Sequence, residues 1–200
     1  MKSCGSCSES AAHQHSTGMA RRRPSVTLPS VVKQPAAVVV DYDPSWPQAF
    51  ERVRAVVWPA VEETAIAIEH VGSTSVEGLA AKPIIDLDVV VANESNLPKA
   101  VAALTSLGYQ HEGDLGVPGR EAFVQPQGLP EHHLYVVVQG SQPHRDHVDF
   151  RNYLRQNPAT QARYATEKRR LAHLLASDRD AYVSGKAWLV REILASARAR

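Results

Sequence analysis

The run from His70 to Val91, HVGSTSVEGLAAKPIIDLDVVV, concentrates the side chains best able to do chemistry. Asp86 and Asp88 lie two apart in a stretch rich in β-branched residues. Residues two apart on a strand point to one face, so the carboxylates are expected side by side. Like charges that close raise each other's pKa or recruit a cation. Oxygen ligands of high negative charge suit Mg²⁺ or Mn²⁺, and Mg²⁺ typically joins such carboxylates to substrate phosphates. Upstream, Gly72, Ser73 and Ser75 belong to a turn where a short helix could begin, and its hydroxyls and free N–H groups can hold phosphate oxygens. An isolated Asp-x-Asp fits the wet face of an edge strand equally well. The Gly-Ser turn before it directs the reading to phosphate chemistry. Two cations could meet the phosphates: Lys82, just before the aspartate strand, and Arg120, in a loop bearing Gly and Pro. Arg suits bidentate phosphate recognition and Lys acts as a point charge, but either also fits an ordinary surface charge.

These groups need a scaffold, and the patterning predicts one. Ala36–Tyr42 reads as a short strand, followed by Asp43 as a helix cap and Pro44 in the first turn. Trp46, Phe50, Val53, Val57 and Val61 then repeat at three and four. Thr64–Val71 alternates as a strand. Pro83–Val91 is nearly continuously β-branched apart from its aspartates, which predicts a strand inside the sheet rather than at its edge. Leu97–Leu107 reads as a helix closed by Gly108. Tyr109–His111, Glu121–Gln125 and His132–Val138 read as strands between turns. From Ser141 the pattern is helical to the end, broken at Pro158 and near Ser177-Asp178. In the last helix Val183, Ala187, Val190, Ile193 (or Leu194) and Ala197 form the expected packing face. The charged residues of the helical segment, Arg155 among them, are expected mostly on a solvated face, with the place of Arg151 relative to the cleft left open. The fold class is α+β: a small mixed sheet, flanking helices and a C-terminal group of about three helices.

The hydrophobic-Gly-Ser element, 12 further residues and Asp-Leu-Asp together resemble the nucleotidyltransferase signature. The whole block is more specifically similar to the GrpB family, nucleotidyltransferase-fold proteins also found fused to dephospho-CoA kinase. Tyr42-Asp43-Pro44-Ser45-Trp46, Pro118-Gly119-Arg120 with Phe123, His132-His133-Leu134 and Phe150-Arg151-Asn152-Tyr153-Leu154-Arg155 extend the resemblance over about residues 38–198. It implies that Gly72 and Ser73 cradle phosphate and that Asp86 and Asp88 bind metal. A nucleotidyltransferase normally adds a third carboxylate from a neighbouring strand, and His132–Val138 contains none. His133 is the expected occupant of that place, with Tyr135 where relatives often show another His. If the strand is regular, only one of His132 and His133 can face the carboxylates.

Net charge is +1, from 22 Lys and Arg against 21 Asp and Glu. It is unevenly spread: residues 1–35 hold five basic side chains and one acid, a net of +4, leaving −3 for the rest. A mildly acidic body is a poor match for nucleic acid, whose binding rests on phosphate neutralisation. No apolar run approaches a membrane span. Both cysteines, Cys4 and Cys7, fall in the N-terminal segment, which suits a reducing cytoplasm. With His13 and His15 they could be drawn as a zinc site, but no apolar periodicity there would fix the ligands. Residues 1–35 read as a disordered extension to a domain over 36–200, and Met19 is an alternative start. The expected activity is transfer of a nucleoside monophosphate from a nucleoside triphosphate to an unidentified acceptor, with Mg²⁺ (or Mn²⁺). The alternative is a non-catalytic nucleotide- or CoA-related binding domain. A homodimer is a possible assembly.

Overall fold

The computed structural model describes residues 38–199. The extension read over 1–35 lies outside the described residues. So does the start of the strand expected at 36–42; its described part forms only an isolated bridge, Val40 to Ala81. Helix α1 spans Trp46–Val61, and its cap position, Ser45, falls two residues after the cap assigned from sequence. Asp43 Oδ1 instead accepts the Ser45 N–H at 2.8 Å, and Pro47 rather than Pro44 occupies the first helical turn. The side chain of Asp43 thereby closes a turn of its own and delays the helix.

Five strands follow: β1 (Ala65–Val71), β2 (Ile85–Val91), β3 (Gln110–Gly113), β4 (Arg120–Val124) and β5 (His132–Val138). They form one mixed sheet in the order β1-β2-β5-β4-β3, with β2 and β5 parallel and the other pairs antiparallel. β2 is therefore internal, as its β-branched run implies. Its alternation divides the molecule. Ile85, Leu87, Val89 and Val91 join Leu134 and Val136 of β5 in a core under α1 and α2 (Leu97–Ser106). Asp86 and Asp88 must then face the opposite side.

That opposite side is roofed by α3 (Gln142–Gln156), α4 (Pro158–Leu171) and α5 (Arg179–Arg198). A second apolar core holds the roof in place. Val76, Leu79 and Ala80, from the segment between the turn and β2, pack with Leu154, Tyr164, Ala165, Leu189 and Ile193. In α5 the buried positions are Tyr182, Leu189 and Ile193, while Val183 is half exposed. Of the expected face, Ile193 and the partly buried Val190 do pack in this core, and α5 meets α3 and α4 rather than the sheet.

Candidate functional site

The Gly72 backbone has φ 65° and ψ −165°, a region open essentially to glycine alone. A Cβ placed there would lie 2.2 Å from Asp86 Oδ2. Glycine is thus required for room as well as for conformation: the Asp86 carboxylate rests against the Gly72 backbone. The helix expected after Gly72 is a single 3-10 turn, Ser73–Ser75, too short to offer a helix dipole to an anion. Ser75 is buried, and its hydroxyl donates to the Gly72 carbonyl at 2.6 Å. Its own carbonyl accepts from Arg155 at 3.1 and 2.7 Å. Ser75 therefore builds the turn, and Ser73 is the hydroxyl that reaches the adjoining cleft.

β5 brings His133 opposite Asp86 and Tyr135 opposite Asp88. His133 Nδ1 bonds Asp86 Oδ1 at 2.8 Å. His132 points the other way, bonded to the Tyr109 hydroxyl at 2.8 Å and the Pro130 carbonyl at 2.6 Å within the core. Strand alternation separates the two histidines, and no bulge interrupts their pairing with β2.

Asp88 has a partner no sequence argument named. His147 of α3 places Nδ1 at 3.0 and 2.9 Å from the two Asp88 oxygens. The two carboxylates consequently differ. Burial raises the Asp86 pKa, but the hydrogen bond and charge of His133 outweigh it and leave Asp86 below the usual range. Burial dominates at Asp88, whose side chain is fully shielded, and holds it above the usual range despite His147. Burial also lowers the His147 pKa, yet the Asp88 hydrogen bond and charge carry it above the ordinary imidazole value. The same face of α3 presents His144, His147, Arg151 and Arg155, spaced three, four and four. Arg151 donates to Glu69 and to the His70 carbonyl, each at 2.9 Å. Arg151 and Arg155 thus fasten α3 to β1 and the glycine turn, which corrects the solvated face expected for Arg155 and decides the place left open for Arg151. That spacing was the available signal for His147.

Beside Asp86 opens a cleft of about 380 Å³. Lys82 and Arg120 line it, as do three cations from the helical roof, Lys168, Arg179 and Lys186. Asp86 is the acid among its lining residues. The Arg120 guanidinium lies 4.5 Å over the Tyr135 ring, and its buried Nε has no hydrogen-bond partner. Burial, followed by the neighbouring cations, lowers the pKa of Lys82 and of Lys186. Burial and the nearby Asp86 push the Tyr135 hydroxyl up to about 12. So much unpaired positive charge beside a hydroxyl-bearing turn is suited to an anion with several phosphates.

Among the described residues, no group of three or more His, Cys, Asp or Glu side chains is arranged to hold a metal ion. Asp86 offers a partly exposed carboxylate, whereas Asp88 is closed by His147. Mg²⁺ and Mn²⁺ can arrive with substrate phosphates and use only one or two protein carboxylates. The donor set fits that mode and does not fit an ion held permanently by the protein alone. No helix among the described residues is long and apolar enough to cross a membrane.

The strand order, the paired aspartates on β2 and the Gly-Ser turn define a nucleotidyltransferase-like α+β fold. In the Cid1 poly(U) polymerase bound to its short product ApU, the fold recurs with a TM-score of 0.51 at 12% identity, over 74% of this chain and 48% of that one. Residues 36–196 match the GrpB protein family, and the chain belongs to it. It resembles the conserved protein GrpB of Enterococcus faecalis, whose crystal structure superposes with a TM-score of 0.71 at 33% identity, over 80% of this chain and 96% of that one. A UPF0157 protein of Pseudomonas aeruginosa is 37% identical over 167 residues, 80% of this chain and 67% of the relative. The chain spans 43% of a longer UPF0157 protein of Bacillus subtilis, and likewise 42% of a dephospho-CoA kinase of Mycolicibacterium paratuberculosis, at 25% identity.

Proposed function

We propose that the protein is a nucleotidyltransferase that takes a nucleoside triphosphate into the cleft between the sheet and the helical roof. The observation that carries this reading is the five-cation cleft opening directly beside Asp86 and Ser73. The triphosphate lies among Lys82, Lys168, Lys186, Arg120 and Arg179, which neutralise charge that develops toward the leaving pyrophosphate. An acceptor hydroxyl or phosphate attacks the α-phosphorus in line. The new P–O bond forms as the bond to the bridging αβ oxygen breaks, and pyrophosphate departs. His133 is anchored to Asp86 through Nδ1, which leaves Nε2 to take the proton of an acceptor hydroxyl. Asp86, joined by Asp88 only where His147 gives way, would hold a Mg²⁺ or Mn²⁺ delivered with the nucleotide, which would supply Lewis-acid stabilisation of the phosphoryl oxygens.

One observation favours a second reading. Asp88 is sealed by His147, and β5 supplies Tyr135 rather than a third carboxylate. A non-catalytic domain that binds a nucleotide or CoA-related molecule would need no more than the cationic cleft.

The test is thermal shift with the four nucleoside triphosphates, with and without Mg²⁺ or Mn²⁺, alongside pyrophosphate release over a broad acceptor panel. A ligand of the folded state raises its apparent stability by mass action. Transfer predicts a metal-dependent shift, lost in an Asp86→Asn/Asp88→Asn variant, and a His133→Ala variant that loses turnover far more than binding. Nucleotide binding with no pyrophosphate released from any acceptor would favour the binding domain, and absence of any shift would remove both readings.

A further inference from the structure

Lys168, on α4, is 2% exposed, and its Nζ has no hydrogen-bond partner. An ammonium carries three donors and is seldom buried without acceptors. Here its nearest compensation is the face of Tyr164, one turn earlier, 4.8 Å away. The groups around it make the charged form still less favourable. Arg169 adds positive charge from the same helix, Lys186 and Arg179 from α5, and Lys82 from the segment before β2. β4 contributes Arg120. Opposing them is Asp86 of β2, already bonded to His133. Tyr135 and Tyr182 complete the wall, and burial keeps both hydroxyls protonated through neutral pH.

We infer that a polyphosphate entering this cleft drives the uptake of one proton, taken from solvent by the amine of Lys168. The inference rests on the polyphosphate reading above and extends it to how the ligand is held. Burial, and after it Lys186, moves the Lys168 pKa down to about 7, so in the ligand-free cleft much of the amine is neutral at neutral pH. Phosphate oxygens supply the missing acceptors and reverse the local field, and Lys-NH₂ plus a solvent proton becomes Lys-NH₃⁺. Lys82 and Lys186 keep part of their surface in water, so their charged forms depend less on a ligand. The sign follows. A group whose pKa rises on binding takes up protons, so affinity is greatest at low pH and falls as pH climbs above the ligand-free value. Above about pH 8 the last phosphate proton and the ordinary histidine range are passed. Affinity there falls by close to tenfold per pH unit.

The experiment is isothermal titration calorimetry of the full chain with inorganic tripolyphosphate and with ATP, in EDTA, near pH 8.5, in buffers of different ionisation enthalpy. About one proton should be taken up per ligand bound. Lys168→Arg, whose guanidinium stays charged, should bind with no uptake and a flat pH profile. Lys168→Met should bind at least tenfold more weakly, also without uptake. Binding by the wild type with no proton uptake would overturn the inference and leave the polyphosphate reading standing. Undiminished uptake in Lys168→Arg would overturn it too, because the proton would then belong to Lys82 or Lys186. If neither probe binds even at pH 7, with EDTA or with Mg²⁺ in its place, the polyphosphate reading fails and the inference with it.

Discussion

Replacing Gly72 with alanine tests whether the glycine turn and the aspartate strand form one device. Two penalties add. An L-residue held at φ 65° and ψ −165° is strained by about 1–3 kcal/mol. The added Cβ meets Asp86 Oδ2 at 2.2 Å and the Asp86 Cβ and Cγ at 2.8 Å. Overpacking of that kind costs about 1–3 kcal/mol once neighbours shift. The expected loss is therefore about 2–6 kcal/mol, read as a lowered urea midpoint, with a melting temperature lower by on the order of 10 °C for a domain of this size. Gly128→Ala supplies the control. It too has a positive φ, 92°, but its Cβ would meet nothing within 4 Å, so about 1 kcal/mol of backbone strain is all it should show. In an Asp86→Ala background the 2.2 Å contact is gone, and Gly72→Ala should cost at least 1 kcal/mol less than in the wild type. Equal losses at Gly72 and Gly128, or no coupling between Gly72 and Asp86, would refute the packing argument.

Three other outcomes can be checked on the purified protein. His147→Ala strips the donor from a fully buried carboxylate and should lower stability at pH 7 by about 2–3 kcal/mol in urea unfolding. Most of that loss should vanish when Asp88→Asn is added, and a double variant no better than His147→Ala would contradict the pairing. Lys168→Met should stabilise the ligand-free protein by about 2–4 kcal/mol at pH 7, because the folded state resists charging an amine whose pKa sits at about 7 while the unfolded chain does not. That gap should close between pH 7 and about 10.4, the ordinary lysine value, and a gap independent of pH would show that the buried amine is not the cause. Arg155→Lys replaces two bonds to the Ser75 carbonyl with at most one and should cost about 1 kcal/mol in the same assay.

The sequence by itself determined the sheet and the placement of its acids. Odd positions from Ile85 to Val91 are apolar and the even ones include Asp86 and Asp88, and a period of two leaves no choice of face. The same rule divided His132 from His133, and β-branched density marked β2 as internal. Local side-chain chemistry was harder to read: Asp43 made its bond to Ser45 and moved the start of α1, a competition among near neighbours that periodicity does not register. What only the tertiary structure decided lies across the roof. His147 is 59 residues from Asp88, Lys168 lies in a helical stretch whose charges read as a solvated face, and nothing in the pattern of the last helix singles out Arg179 or Lys186. A helix face is called solvated from its polarity, but polarity cannot tell water from a polar cleft. The direction of that face was set by apolar residues elsewhere: Leu154, Tyr164, Leu189 and Ile193 packing on Val76 and Leu79. Gly72 shows the same division at a single residue. Its type was visible as a turn signal, while its closeness to Asp86 arose only when β1 and β2 paired, with Val71 opposite that aspartate.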